Sequence, residues 1–426
     1  MTLVQVLLAS AGEPWETEVV LDLQRPGCGL ILVRRCMDVA DAVATAASGQ
    51  ADAVLFGRAL PGLDSDVVAR VTESGAVTVG LVEDVEGPDA TTLVDMGVAC
   101  VVHRSALEDV PAAVQRARRL TPDGLVHPSP GALEPAIPDE AFGVDGSPLP
   151  VGRVVACWGP TGAPGRSTVA LGLASELSAR SVPTLVVDVD VHGGALAQML
   201  AMLDEVSGVL AAARLAGNGT LTLAALHGHV REINPHLRVL TGLPRADRWA
   251  QLRPSALVSL LRTASQMAPF VILDCGFDLE QDEELSFDTS APRRNGATLA
   301  ALERADVVLA IGSAEPLGLA RLARGVLDLT QAVPGCDPQI VVNRMRSSLG
   351  WTTEDIAATV ERFVGRRPIA FLPEDRAAVD RTWIDGRTLT ECAPDSPLRA
   401  AIAELATSLG ATGSVTPRRR LRRRGR

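Results

Sequence analysis

The stretch VVACWGPTGAPGRSTVALGLASELSAR, residues 154–180, joins an apolar run to a helical pattern through a turn rich in glycine. A strand, a glycine turn and a helix in this order are typical of a phosphate-binding loop, whose usual form is G-x-x-x-x-G-K-[ST]. In such loops backbone N–H groups surround the phosphates, the lysine contacts them and the hydroxyl binds Mg²⁺. Here Arg166 stands where that lysine belongs, and Ser167 follows it. The stretch therefore predicts a phosphate site with an altered cation.

Arginine supplies every basic side chain of the chain, because the sequence contains no lysine. The 426 residues carry a formal charge of −11, yet seven arginines lie in the last eleven residues, TPRRRLRRRGR. The body is therefore acidic and the tail basic. Such a tail attracts the phosphates of anionic lipids or of nucleic acid, or it is only a solubilising terminus. The tail alone leaves these alternatives open, and the family resemblance given below favours lipid over nucleic acid.

Cysteine spacing and hydropathy indicate the cellular compartment in which the protein acts. The seven cysteines are scattered and show no C-x-x-C spacing, which predicts reduced thiols and neither a disulfide framework nor a zinc site. No apolar run approaches the length of a membrane span. We therefore expect a cytoplasmic protein, with peripheral association at the inner face of the plasma membrane open through the tail.

Residues 1–120 alternate short apolar strand patterns with helical patterns, which predicts a parallel, doubly wound α/β domain. Their order resembles the receiver domains of response regulators. That family has a phosphoacceptor Asp after the third strand, where this chain has Gly57, and a Lys after the fifth, where it has His103. We therefore expect a pseudo-receiver used for docking, and the alternative is an unrelated flavodoxin-like domain that binds a cofactor.

Three further segments complete the predicted domain organisation. Residues 121–150 are dense in Pro and Gly and predict a semi-rigid linker. A second α/β pattern fills residues 151–410, and an Arg-rich tail, predicted to be disordered, follows at 411–426. The last helical pattern, DSPLRAAIAELATSLG, begins at Asp395 and has Leu398, Ile402, Leu405 and Leu409 on one face. We expect it to pack on the body of the protein, the alternative being insertion into a membrane.

Acidic residues follow two of the apolar strand patterns in this second region. TLVVDVD ends in Asp188 and Asp190, and FVILDCG contains Asp274. Open α/β sheets bind ligands at the carboxyl ends of their strands. Carboxylates there, opposite a phosphate loop, predict a site for Mg²⁺ and phosphate in which one carboxylate orients an attacking water.

With these motifs in order, residues 151–410 resemble the MinD/ParA family of deviant Walker A ATPases, and the two-domain organisation resembles its CpaE/TadZ branch, which is related to septum-site-determining proteins. The family's loop, K-G-G-x-G-K-[ST]-T, aligns with Thr161, Gly162, Ala163, Pro164, Gly165, Arg166, Ser167 and Thr168. Its further motifs align with Asp188 and Asp190, Asp274, Asn343 in IVVNRM, and the loop from Leu372 to Asp375.

The resemblance implies binding of ATP or ADP with Mg²⁺, a homodimer, and protein partners in a polar pilus, secretion or division complex. It implies that Arg166 and the loop amides hold phosphate. It assigns Ser167 and Asp274, with Asp188 as a further candidate, to Mg²⁺. Asp190 would act on the water as the catalytic residue, and Asn343 would contact the base.

Two departures from the family pattern predict weak or absent hydrolysis. The family's signature lysine, which reaches the partner's phosphates across the dimer, is Thr161 here, and Arg166 replaces the second lysine. Arg293 and Arg294, after the Asp274 strand, are hypothetical replacements for the lost charge. The alternatives are a catalytically dead scaffold of the same fold and a ParA-like DNA-partitioning ATPase that relies on the tail.

Overall fold

The computed structural model describes residues 3–25, 27–120, 151–162, 164–202, 206–280 and 292–410. Within these ranges the chain divides into two compact units. The smaller unit contains the residues up to 120 together with 213–221, and the larger contains the remainder. The predicted linker, the Arg-rich tail and Ala163 of the predicted loop lie outside the described residues.

The smaller unit alternates strands and helices along the chain. Its elements are β1 (Val4–Ala9), α1 (Glu16–Leu23), β2 (Leu30–Cys36), α2 (Val39–Ala47), β3 (Ala53–Gly57), α3 (Ser65–Glu73), β4 (Val77–Val82), α4 (Pro88–Asp95), β5 (Cys100–His103) and α5 (Val110–Leu120). The strands pair in parallel in the order β2-β1-β3-β4-β5. Receiver and flavodoxin-like folds share this order, so the topology is compatible with both sequence-based alternatives.

The end of β3 has no room for a side chain. A Cβ added to Gly57 would lie 2.5 Å from Glu13 Oε2 and 3.0 Å from the ring of Trp15. Because a larger residue would displace Glu13, the position at which receivers carry their phosphoacceptor is filled from the β1–α1 loop. The pseudo-receiver interpretation of this unit stays a prediction.

From residue 151 onward the elements again alternate. They are β6 (Arg153–Trp158), α6 (Arg166–Ala179), β7 (Thr184–Val189), α7 (Leu196–Met199), α8 (Gly208–Gly217), α9 (Leu223–His229), β8 (Arg231–Asn234), β9 (Leu237–Leu240), α10 (Pro254–Met267), β10 (Phe270–Cys275), α11 (Gly296–Arg304), β11 (Val307–Ser313), α12 (Pro316–Ala332), β12 (Gln339–Met345), α13 (Thr353–Val364), β13 (Ala370–Pro373), α14 (Arg376–Asp385), α15 (Leu389–Cys392) and α16 (Pro397–Ser408).

The second sheet has the order β13-β12-β11-β6-β10-β7-β9-β8. Its strands are parallel except for β8, which runs antiparallel to β9. The predicted α/β fold class is confirmed, and the apolar runs VVAC, TLVVDVD, FVILDCG and IVVNRM coincide with β6, β7, β10 and β12. Strand β8 was not predicted, because its sequence REIN is short and polar and lies at the sheet edge, where strands need little apolar surface.

Helix α6, which follows the glycine turn, is buried on nearly all sides. Residues Val169 to Ser178 are inaccessible or nearly so, which is typical of a helix in the interior of a domain. The core around it includes the predicted apolar face of α16, with Ile402 fully buried. The Ser396 side chain caps α16 by accepting a hydrogen bond from the Arg399 N–H at 3.3 Å. The closing helix therefore packs on the body, as predicted.

Not one of the described helices combines the length and the apolar character that crossing a membrane demands.

Candidate functional site

The glycine turn between β6 and α6 depends on backbone conformations that favour glycine. Gly162 and Gly165 have φ angles of 106° and 101°, in the left-handed region where a Cβ is strained. A Cβ on Gly165 would also overlap the side-chain amide of Asn343. The two glycines therefore fix the path of the loop into α6.

The N-terminus of α6 has the properties of an anion site. Among the described residues, no side chain caps the helix at Gly165. The first N–H groups of a helix have no partner within the helix, and the macrodipole places partial positive charge there. A helix N-terminus behind a glycine loop is the arrangement that phosphate-binding proteins use.

Asp274 is a fully buried carboxylate beside this helix start, close to the Ser167 hydroxyl. It lies in β10 between β6 and β7, opposite Cys157 on one side and Asp188 on the other. The side chain is 0% exposed, and neither of its oxygens has a hydrogen-bond partner among the described residues. Burial and the negative charge of Asp188 raise the pKa of Asp274 well above its usual range, while Arg166 and the Ser167 hydroxyl, which is near but outside hydrogen-bond geometry, oppose the rise.

An unsatisfied buried carboxylate is costly unless something completes it. Mg²⁺ in phosphate sites is usually held by one or two carboxylates, a hydroxyl, substrate phosphates and several waters. The Asp274 carboxylate beside the Ser167 hydroxyl supplies the protein part of that set. These residues therefore fit a magnesium-bound phosphate, although the described residues include no cluster of three acidic, His or Cys side chains spaced to hold a metal alone.

Asp188 differs from Asp274 because both carboxylate oxygens of Asp188 accept hydrogen bonds. The N–H groups of Asp190 and Leu196 donate to them at 3.2 and 3.1 Å. Gly242 packs so closely that a Cβ there would lie 2.5 Å from the Asp188 Cγ. Burial, with a contribution from Asp190, raises the pKa of Asp188 to about 7. Asp188 thus organises the turn after β7, and its predicted role toward Mg²⁺ stays a prediction.

Asp190 follows β7 and faces the loop. Its Oδ1 accepts hydrogen bonds from the N–H groups of His192 and Gly193 at 2.8 and 3.1 Å. Its Oδ2 lies 3.5 Å from Nη2 of Arg166. The carboxylate that the sequence assigned to the attacking water is therefore held by backbone donors on one side and by a guanidinium on the other.

The Arg166 side chain folds back over its own loop. Its Nη1 donates to the carbonyl oxygens of Gly159 and Pro160 at 3.1 and 3.4 Å. Its guanidinium carbon lies 5.9 Å from the centre of the Phe277 ring. These contacts, with Asp190, keep the side chain mostly buried, so direct contact between Arg166 and a phosphate requires some of them to be exchanged.

Asn343, at the end of β12, is joined to the loop. Its Nδ2 donates to the Pro164 carbonyl at 2.8 Å, and its Oδ1 accepts from the Arg344 N–H at 2.8 Å. Both polar ends of this buried amide thus have partners within the chain. The observed role of Asn343 is to hold the loop, and contact with a nucleotide base stays a prediction.

Sequence reasoning missed a group of side chains beside the acids. The rings of His192 and Phe277 lie 4.9 Å apart, and His192 Nε2 is 3.0 Å from Oδ1 of Asn295. The indole N–H of Trp158 donates to the Phe277 carbonyl at 3.3 Å. His192 lies two positions after Asp190, and Phe277 lies three positions after Asp274. This spacing was the only signal in the sequence that could have pointed to them. Exposed Arg293 and Arg294 adjoin Asn295, but no described contact joins either to the loop.

Comparisons with known proteins bear on the fold of the larger unit and not on the site. A ParA family ATPase from Chlorobium tepidum is 21% identical, with a TM-score of 0.51 over 60% of this chain and 98% of that protein. The cell division ATPase MinD of Pyrococcus furiosus is 20% identical, with a TM-score of 0.48 over 61% and 98%. The septum site-determining protein MinD of Pyrococcus horikoshii, complexed with Mg-ADP, is 17% identical, with a TM-score of 0.47 over 61% and 96%.

No protein-family model matches the chain, and no curated protein matches it by sequence. A sequence identity of 21%, as with the Chlorobium protein, establishes only that the two proteins share a fold. The chain therefore contains the mostly parallel α/β fold of P-loop ATPases of the MinD/ParA type.

Proposed function

We propose that this chain binds ATP or ADP with Mg²⁺ and acts as a nucleotide-responsive spatial organiser of the MinD/ParA type, resembling the CpaE/TadZ branch. It localises pilus or secretion machinery, or the division septum, with weak or absent ATP hydrolysis. It acts as a homodimer with protein partners in that complex.

One observation carries the nucleotide part of the proposal. Asp274 is fully buried with both oxygens unpartnered among the described residues, and it lies beside Ser167 in the first turn of α6. A structural carboxylate at this depth normally has hydrogen-bond donors. A carboxylate left without them, next to a helix N-terminus that attracts anions, is suited to a cation that arrives with its phosphate.

Each residue of the site has a defined role in the proposed binding of nucleotide and Mg²⁺. The loop amides and the start of α6 hold the phosphates, and Ser167 with Asp274 holds Mg²⁺, which when bound neutralises phosphate charge. Arg166 contributes positive charge from the side of Gly159. Asn343 keeps the loop in place through Pro164, and it contacts the base only by exchanging one of its present partners.

Weak hydrolysis follows from the charges around the loop. Thr161, exposed and neutral, replaces the cation that the family extends across its dimer. Asp190, the candidate for orienting water, is neutralised by Arg166 at 3.5 Å. A carboxylate held by a guanidinium and by backbone N–H groups must exchange a partner before it can orient a water, so binding survives these substitutions better than turnover.

The remaining assignments belong to the same proposal. Residues 1–120 serve as a pseudo-receiver that docks partners, 121–150 as the linker, and 151–410 as the nucleotide-binding domain. The protein acts in the cytoplasm, with the tail at 411–426 attaching it to anionic membrane. Support for the docking role comes from Gly57, where Glu13 occupies the phosphoacceptor position.

The experiment is a titration of the purified full-length chain with a fluorescent ATP analogue, with and without Mg²⁺. We expect saturable binding that Mg²⁺ strengthens and that Asp274→Ala weakens. Asp328→Ala, which removes an exposed carboxylate on α12, is the matched control and should bind as the wild type does. Absence of saturable binding by the wild type would refute the proposal.

The same titration tests a second candidate, a scaffold of this fold that binds no nucleotide. The contacts of Arg166 favour it, because the guanidinium that should meet phosphate is occupied by two carbonyls and Asp190. Failure of the wild type to bind, together with retained partner docking, would support the scaffold.

A further inference from the structure

Helix α12 lies alongside the start of the phosphate loop. A Cβ on Gly325 would come within 3.1 Å of Pro160 and of the Trp158 ring. One helical turn earlier, Nη1 of Arg321 lies so close to Gly162 that a Cβ on that glycine would overlap it. Residues four apart share one face of a helix, so this face of α12 brings Gly325 and Arg321 onto the loop.

The Arg321 guanidinium is available to a ligand. The side chain belongs to an exposed residue, and in the part of the chain that the structure describes no carboxylate or carbonyl forms an ion pair or hydrogen bond with it. Arg166 differs, because Asp190 and two carbonyls already hold its guanidinium. Of these two arginines at the loop, Arg321 is the one whose charge is not neutralised within the described chain.

We propose that Arg321 binds a phosphate of the nucleotide and supplies, from within the same chain, the cation that Thr161 lacks. The inference rests on the proposed nucleotide-binding function and adds a residue to it from outside the loop motif. Guanidinium groups donate two parallel hydrogen bonds to phosphate oxygens and are well suited to this contact. Gly162 makes the approach possible, since any side chain there would collide with Arg321.

The test measures binding of a fluorescent ATP analogue and of the corresponding adenosine analogue to the full-length chain in the presence of Mg²⁺. Arg321→Ala should weaken ATP-analogue binding about ten-fold, the size of one charge-assisted hydrogen bond. It should leave adenosine-analogue binding unchanged. Arg321→Lys, which keeps the charge, should lose less. Arg324→Ala is the matched control, because it removes an exposed arginine from the same helix for which no contact with the loop is described.

The outcomes separate the two proposals. Wild-type binding that Arg321→Ala leaves unchanged, or that both alanine variants weaken equally, overturns the role of Arg321 and leaves the proposed function intact. Absence of wild-type binding overturns both. A loss confined to a variant with both Arg293 and Arg294 changed to Ala would assign the cation to that segment instead, which also overturns the role of Arg321.

Discussion

Replacing Asp274 by Asn should stabilise the protein without nucleotide while removing its response to nucleotide. The carboxylate is buried, unpartnered among the described residues and close to Asp188, and burial raises its pKa well above the usual range. An acid whose pKa is raised in the folded state contributes its full stability below its unfolded pKa. That stability is lost as the pH rises toward the folded pKa.

The magnitude follows from this linkage. Above the unfolded pKa and below the folded one, a single carboxyl lowers the free energy of unfolding by about 1.4 kcal/mol per pH unit. The wild type should therefore lose on the order of 1 kcal/mol for each pH unit within this range, a loss that the Asn variant does not show. At about 2–4 °C per kcal/mol for a domain of this size, the difference in Tm between variant and wild type should grow by a few degrees for each such unit.

The assay is thermal unfolding of the full-length chain at pH 5 and pH 7 without nucleotide, followed by tryptophan fluorescence. Trp158, Trp249, Trp351 and Trp383 all lie beyond residue 150, so the signal reports mainly on the larger unit. Repeating the scan with Mg·ATP should raise the Tm of the wild type and leave that of the variant unchanged, because a ligand stabilises only the state that binds it.

Asp188→Asn is the matched control. Its oxygens accept backbone N–H groups at 3.2 and 3.1 Å, so an amide places a donor against a donor. This variant should lose about 1–3 kcal/mol, with a sign opposite to that of Asp274→Asn. An Asp274→Asn variant that is less stable than the wild type at pH 7, or whose gain does not change with pH, would refute the reasoning.

Three further predictions follow from the loop and the tail. Gly165→Ala should lower the free energy of unfolding by more than the roughly 1–2 kcal/mol of left-handed strain, because the new Cβ would also overlap Asn343. Gly335, with φ of 83° and open space around it, is the control, and Gly335→Ala should show the strain alone. Equal losses of the two variants in urea unfolding would contradict the clash at Gly165. Thr161→Lys should raise ATP turnover about ten-fold or more by restoring a cation at the phosphates; a phosphate-release assay showing unchanged turnover with intact binding would remove Thr161 as the cause of weak hydrolysis. Deleting residues 416–426 should abolish salt-sensitive binding to vesicles of anionic lipid, and unchanged co-sedimentation would exclude the tail as the anchor.

The elements of the fold were accessible from local pattern. Apolar strand runs such as VILDC, glycines at the turn and the capped last helix are local signals, and the structure places β10, the loop and α16 where those signals predict them. Strand β8 could not be predicted from the sequence, because a short polar edge strand has no distinctive hydrophobic periodicity. The topology of the smaller unit was predictable, but its order is common to two kinds of domain.

The partners of each side chain were not accessible from the sequence. Asp188 and Asp274 look equivalent as acids at strand ends, yet backbone N–H groups complete the first and leave the second without a partner among the described residues. Arg321 belongs to no motif and lies far along the chain from the loop it contacts. Hydrogen bonding and charge pairing depend on distances of a few ångströms between remote segments, which no local pattern encodes.

The sequence by itself therefore determined the α/β class, the glycine loop and the set of acids, because backbone propensity and apolar periodicity act over neighbouring residues. Only the tertiary structure decided that Arg166 is held by Asp190, that Asn343 holds the loop, and that Arg321 lies against Gly162. The physical reason is that these contacts arise when strands and helices distant in the chain come together at the carboxyl ends of the strands of one sheet.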